Sequence, residues 1–155
     1  MKKITLYIVL ILSLCYADLI KPVNANNLNY IYIPFAWEQE PDAVGYNIQA
    51  SENSNFNNLN LDTNIESTMF IDKENFGWNE SYYWRVRPIY DNAYGDYEFG
   101  EWIGSSSFSI DGTLFSNLSV DIYQPDLIQE GYVAIGGFAP DLESVIVDVN
   151  GNEIW

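Results

Sequence analysis

The stretch Tyr82-Tyr83-Trp84-Arg85-Val86-Arg87 sets the tightest limit on what this chain can fold into. Successive side chains of an extended strand point to opposite faces, so Tyr82, Trp84 and Val86 share one face and Tyr83, Arg85 and Arg87 the other. The first set is wide and apolar and belongs in a core. The second carries charge and belongs in water. A slip of one residue would exchange the two sets, which pins the strand's orientation.

Shorter runs repeat the pattern. Phe35 and Trp37 fall on one side of a strand, as do Tyr46, Ile48 and Ala50 after Gly45, and Phe70 and the Phe108/Ile110 pair extend the series. Turn-forming stretches separate these runs: Glu40-Pro41-Asp42, Asn75 to Asn79, and Asp91 to Gly95. No helical periodicity is sustained anywhere, so the chain reads as all-β. A cysteine-poor β unit of this size depends on large apolar side chains to outweigh chain entropy, and Trp37, Tyr46, Phe70, Tyr82, Trp84 and Val86 are the predicted core. The folded unit is expected over residues 28–110, with the polar stretch 18–27 as a flexible lead-in.

In this order and spacing, Phe35-Ala36-Trp37, Gly45-Tyr46-Asn47-Ile48, Tyr82 to Pro88, and Trp102 before Ser107-Phe108-Ser109-Ile110 resemble the fibronectin type III domains. The resemblance implies an immunoglobulin-like β-sandwich of seven strands in two sheets. It also places Tyr82 at the tyrosine corner, where a tyrosine hydroxyl bonds the backbone a few residues upstream.

Met1-Lys2-Lys3 precedes an uncharged apolar stretch from Ile4 to Ala17 that ends in small residues, the layout of a signal peptide. The stretch is short for a membrane-spanning helix, which needs about 20 apolar residues. Residues 1–17 are therefore expected to be removed after Ala17, leaving a secreted, periplasmic or cell-surface product with no membrane attachment. Leu14 is bulky where a lipoprotein-type cleavage box takes a small residue, which argues against a lipid anchor on Cys15, the sole cysteine. The net charge of −16 disfavours nucleic acid and anionic lipid, both of which are bound mainly through Lys and Arg. Cationic partners or divalent ions suit it better, although the acids also serve simply to keep an aromatic-rich domain in solution.

Residues 111–155 read as the incomplete N-terminal part of a second β domain. Ser119 to Tyr123, Tyr132 to Ile135 and Val145 to Val149 alternate as strands, and Asn150-Gly151 is a hairpin turn into Asn152-Glu153-Ile154-Trp155. Gly131 to Gly137, followed by Val145 to Trp155, resembles the opening of the β-propeller of secreted aryl-sulfate sulfotransferases. That family transfers sulfate between phenols through a histidine intermediate. This chain contains no histidine, so no catalytic residue carries over.

Two surface groups stand out as candidate sites. Asp91, Asp96, Glu98 and Glu101 crowd one loop and read either as a calcium site or as solvated turn residues. Tyr94, Tyr97 and Trp102, with Tyr90 and Phe99, form an aromatic cluster beside them, suited to a protein or glycan interface or to docking an adjoining propeller. The stretch Asp148 to Glu153 lacks the full donor set of a calcium loop and reads as a plain hairpin. Pairs of acids arise by chance among 22 of them, which leaves glycoside hydrolysis without support. No cofactor is expected. The expected function is a non-catalytic extracellular accessory or interaction module, the N-terminal fragment of an aryl-sulfate sulfotransferase-like protein; adhesion or carbohydrate binding at the cell surface is the rival reading.

Overall fold

The computed structural model describes residues 17–92, 94–113, 124–127, 129–137 and 143–155. The expected leader, apart from Ala17, and the strand expected over Ser119 to Tyr123 lie outside them. Among the described residues there is no α-helix, only a 3-10 turn at Pro125–Leu127.

The first unit comprises β1 (Leu19–Lys21), β2 (Asn26–Leu28), β3 (Ile33–Trp37), β4 (Gly45–Ser51), β5 (Leu61–Ile65), β6 (Met69–Asp72), β7 (Ser81–Asp91), β8 (Tyr97–Phe99) and β9 (Gly104–Ile110). One sheet has the order β1-β3-β6 and the other β2-β9-β7-β4-β5, with β8 paired beside the far end of β7. Neighbours are antiparallel except β2 and β9.

Alternation explains how the two sheets hold together. Phe35 and Trp37 of β3 point across to Trp84 of β7 at ring-centroid distances of 5.1 Å and 6.4 Å, and Trp37 meets Tyr46 of β4 at 5.3 Å. Phe76, from the loop before β7, plugs one end of the seam against Phe35, Tyr82 and Phe108. Trp37, Tyr46, Tyr82, Trp84 and Val86 are all buried. Phe70 is only half-buried, because β6 is an edge strand and Phe70 lines the open seam beside β5.

The expected lead-in is part of the fold. Residues 18–27 carry β1 in one sheet and β2 in the other, and the Pro22 carbonyl between them accepts hydrogen bonds from Trp84 Nε1 (3.1 Å) and Ser106 Oγ (3.0 Å). Strands of three residues are too short to show alternation, so composition alone made this stretch look like a linker. The structured unit thus begins before Leu28.

The Tyr82 hydroxyl accepts a hydrogen bond from the Gly77 N–H at 3.0 Å, five residues upstream, and the Tyr46 hydroxyl accepts one from the Glu40 N–H at 2.8 Å. Three loops are wound on a single Asx side chain. Asp72 Oδ1 accepts from the N–H groups of Glu74 and Asn75, Asn92 Oδ1 from those of Tyr94 and Asp96, and Asp148 Oδ1 from those of Asn150 and Asn152.

The third of these turns closes the C-terminal hairpin. Strands β10 (Tyr132–Gly137) and β11 (Glu143–Asp148) pair antiparallel, and Gly151, at φ +84, supplies the left-handed residue that brings Glu153 back beside Val147. This hairpin touches the first unit. Ile31 N–H donates to Ile154 O (3.2 Å), Trp78 Nε1 to Glu153 O (3.3 Å), and the Tyr32 and Tyr132 rings meet edge-on at 6.0 Å.

Replacing Trp84 with alanine removes the ring that both sheets share, and is expected to cost about 3–5 kcal/mol in urea unfolding of the whole chain. An unchanged midpoint would mean that the seam does not hold the sheets. Burial raises the pKa of Tyr46 and Tyr82 above 10.0, with the N–H groups of Glu40 and Gly77 opposing it. Because the folded values are raised, stability is fully present below pH 10.0 and declines as pH rises through them. Urea midpoints taken from about pH 8 to about pH 12 should show that decline. Tyr82→Phe should lessen it, at about 1 kcal/mol for the hydrogen bond lost at neutral pH.

Candidate functional site

The outer face of the larger sheet concentrates this protein's unusual chemistry. Registration of β7 on β4 sets Arg85 opposite Gln49 and Arg87 opposite Asn47, and registration of β4 on β5 sets Gln49 opposite Asp62 and Asn47 opposite Asn64. Hydrogen bonds run across these pairs and diagonally between them. Arg85 donates from Nε (3.1 Å) and from a terminal NH2 (2.7 Å) to Gln49 Oε1, and Arg87 Nε donates to Asn47 Oδ1 (3.1 Å). The amide nitrogens of Asn47 and Gln49 then donate to the two oxygens of Asp62, at 2.8 Å and 3.2 Å. Asn47 and Gln49 are buried, and this network satisfies them.

Rings cover the guanidinium planes. Arg85 lies 4.0 Å from the ring centroids of both Phe56 and Trp102, while Arg87 lies 4.4 Å from Trp102 and 3.9 Å from Phe99. The result is a stack of alternating ring and cation: Phe56, Arg85, Trp102, Arg87, Phe99. Burial, followed by the like charge of Arg87, lowers the Arg85 pKa, and Asp62 opposes the shift. Phe56 sits in left-handed backbone at φ 55, a costly conformation for an aromatic residue, and its ring closes one end of the stack.

The structure splits the predicted aromatic cluster. Trp102 is half-buried in the stack, whereas Tyr94 and Tyr97 are 92% and 75% exposed. Among the described residues, that cluster is not what meets the C-terminal hairpin. Tyr97 pairs with Asp91 at the end of β7, while Trp78, which does meet the hairpin, precedes the start of β7, about 30 Å away along the strand. The four candidate calcium ligands also separate. Asp91 lies opposite Tyr97 and Tyr90 opposite Glu98, so the pleat puts the Asp91 and Glu98 carboxylates on opposite faces of the β7–β8 ribbon. Asp96 and Glu101 flank that ribbon, and among the described residues no three acidic, cysteine or histidine side chains are grouped to hold a metal ion. No helix among the described residues is long and apolar enough to cross a membrane.

Asn47 and Gln49 were legible in principle, since they alternate with the core residues Tyr46 and Ile48 and face the same side as the arginines. Phe56 had no sequence signal, because its loop has no period. No protein-family model, no curated protein and no solved structure matches this chain.

Trp102→Ala should destabilise the fold by about 2 kcal/mol or more, since it uncovers two guanidinium groups at once. A double-mutant cycle of Arg85→Met with Trp102→Ala, read by urea unfolding, should give a coupling of about 0.5–2 kcal/mol. A coupling near zero would make the stacking incidental.

Proposed function

We propose that this chain is a non-catalytic, extracytoplasmic interaction module of the fibronectin type III kind, at the N-terminus of a protein resembling the secreted aryl-sulfate sulfotransferases. The observation that carries the reading is the arrangement of seven principal strands. Strands β1, β3 and β6 oppose β9, β7, β4 and β5, with the hydroxyl of Tyr82 at the start of β7 bonded to the Gly77 backbone. Export is supported by the charge layout of residues 1–17. The β10–β11 hairpin and its Asp148-Val149-Asn150-Gly151 turn support a following propeller. A role in adhesion to a protein or glycan is the second reading, favoured by the exposed rings of Tyr94, Tyr97 and Phe99.

Cell fractionation with N-terminal mass analysis tests export: the product should lie outside the cytoplasm and begin at Asp18. A cytoplasmic product retaining Met1 would overturn it. Reading the gene past the Trp155 codon tests the sulfotransferase assignment, for which histidine-bearing propeller repeats are expected; a stop codon or an unrelated domain there would sink it.

A further inference from the structure

Where β4 begins at Gly45, the outer face of the larger sheet falls into a depression of ≈ 370 Å³. Gly45 is among its lining residues, at a point where a Cβ would lie 3.0 Å from the Ile65 carbonyl oxygen. Ile89 of β7 contributes to its lining, with Val44 and the β8 rings of Tyr97 and Phe99 around it. Tyr97 is 75% exposed, Phe99 47% and Val44 43%, so an apolar and aromatic surface stays open to solvent in a chain of net charge −16.

Charge selects the occupant. The charged groups lining the depression are Glu66 and Asp91, both carboxylates. The neighbouring segments add Glu40 and Asp42 before Val44, and Asp96 before Tyr97. The cation next along β7, Arg87, is already engaged, with its plane against Phe99 and its Nε donating to Asn47. Aromatic faces attract cations, and an acidic cleft with low-dielectric walls raises the local concentration of positive ligands. A neutral glycan could stack on Tyr97 but would gain nothing from the carboxylate charge around it.

We propose that the depression docks a basic peptide segment of a partner protein, its Lys or Arg side chains directed to the Tyr97 ring and to the carboxylates of Glu66 and Asp91. This rests on reading the chain as an interaction module and names the chemistry of its partner.

Calorimetric titration of the whole chain with acetylated pentalysine amide at low salt tests the proposal. The Kd should weaken by about fivefold or more in Tyr97→Ala, equivalent to ~1 kcal/mol. The pair Glu66→Gln with Asp91→Asn should weaken it at least as far. The control pair Glu80→Gln with Glu130→Gln, exposed acids away from the depression, should stay within about twofold of the parent chain. Both Tyr97→Ala and the control leave the packed seam intact, and melting curves verify that each variant folds. No binding of pentalysine, an unchanged Kd in Tyr97→Ala, or an equal loss in the control pair overturns the proposal. Titration with chitohexaose separates the two levels: binding of the sugar but not of the peptide rejects the basic partner while leaving an interaction module in place.

Discussion

The edge-on meeting of Phe35 with Trp84 is where the two sheets become one body. Trp84 is fully buried at the middle of β7, with Phe35 and Trp37 of the opposing sheet against it. Its indole N–H also reaches the Pro22 carbonyl, which fastens the chain where it crosses from β1 to β2. A ring of this size removes about 150–250 Å² from water, and without disulfides such contacts must outweigh the entropy of ordering the chain. The remaining core rings extend from that contact along the seam, so the fold's stability and the closure of its N-terminal edge share one cause.

The same β7 strand organises the opposite surface. Because Trp84 and Val86 must face inward, Arg85 and Arg87 must face outward, side by side and with like charge. That arrangement is tolerable only when the guanidinium groups are screened and hydrogen-bonded. The register of β4 and β5 supplies amide and carboxylate oxygens in line with them, and Phe56, Trp102 and Phe99 cover their planes. The outer face is thereby capped over its middle, and β4 is buried along its whole length instead of on one side. Beyond Arg87 the cover ends, and the surface opens into the depression lined by Gly45, Ile89 and Phe99. The exposed rings and the acidic rim meet there.

The acids divide into two kinds of work. Asp72 and Asp148 are engaged by backbone N–H groups and hold turns in place. For Asp148, burial pushes the carboxyl upward, but hydrogen bonds from Asn152 and Asn150 outweigh it and leave the pKa below 3.8. Other carboxylates, such as Glu66 and Asp91, are exposed on the rim of the depression. A formal charge of −16 therefore describes two populations, of which the second also has its oxygens open to a partner.

By itself the sequence determined the all-β class, the inward face of β7 and the Asn150-Gly151 hairpin, because alternation and turn chemistry are local and short in range. It also marked Tyr82 and its neighbours as core, since wide apolar side chains at every second position have no other low-energy place. Tertiary structure alone decided that residues 18–27 join both sheets, that Trp102 stacks between two arginines while Tyr97 stays exposed, and that Asp91 and Glu98 diverge. Each of these depends on which strand lies beside which, and that is set by contacts between residues far apart in the chain, where spacing along the sequence carries no information.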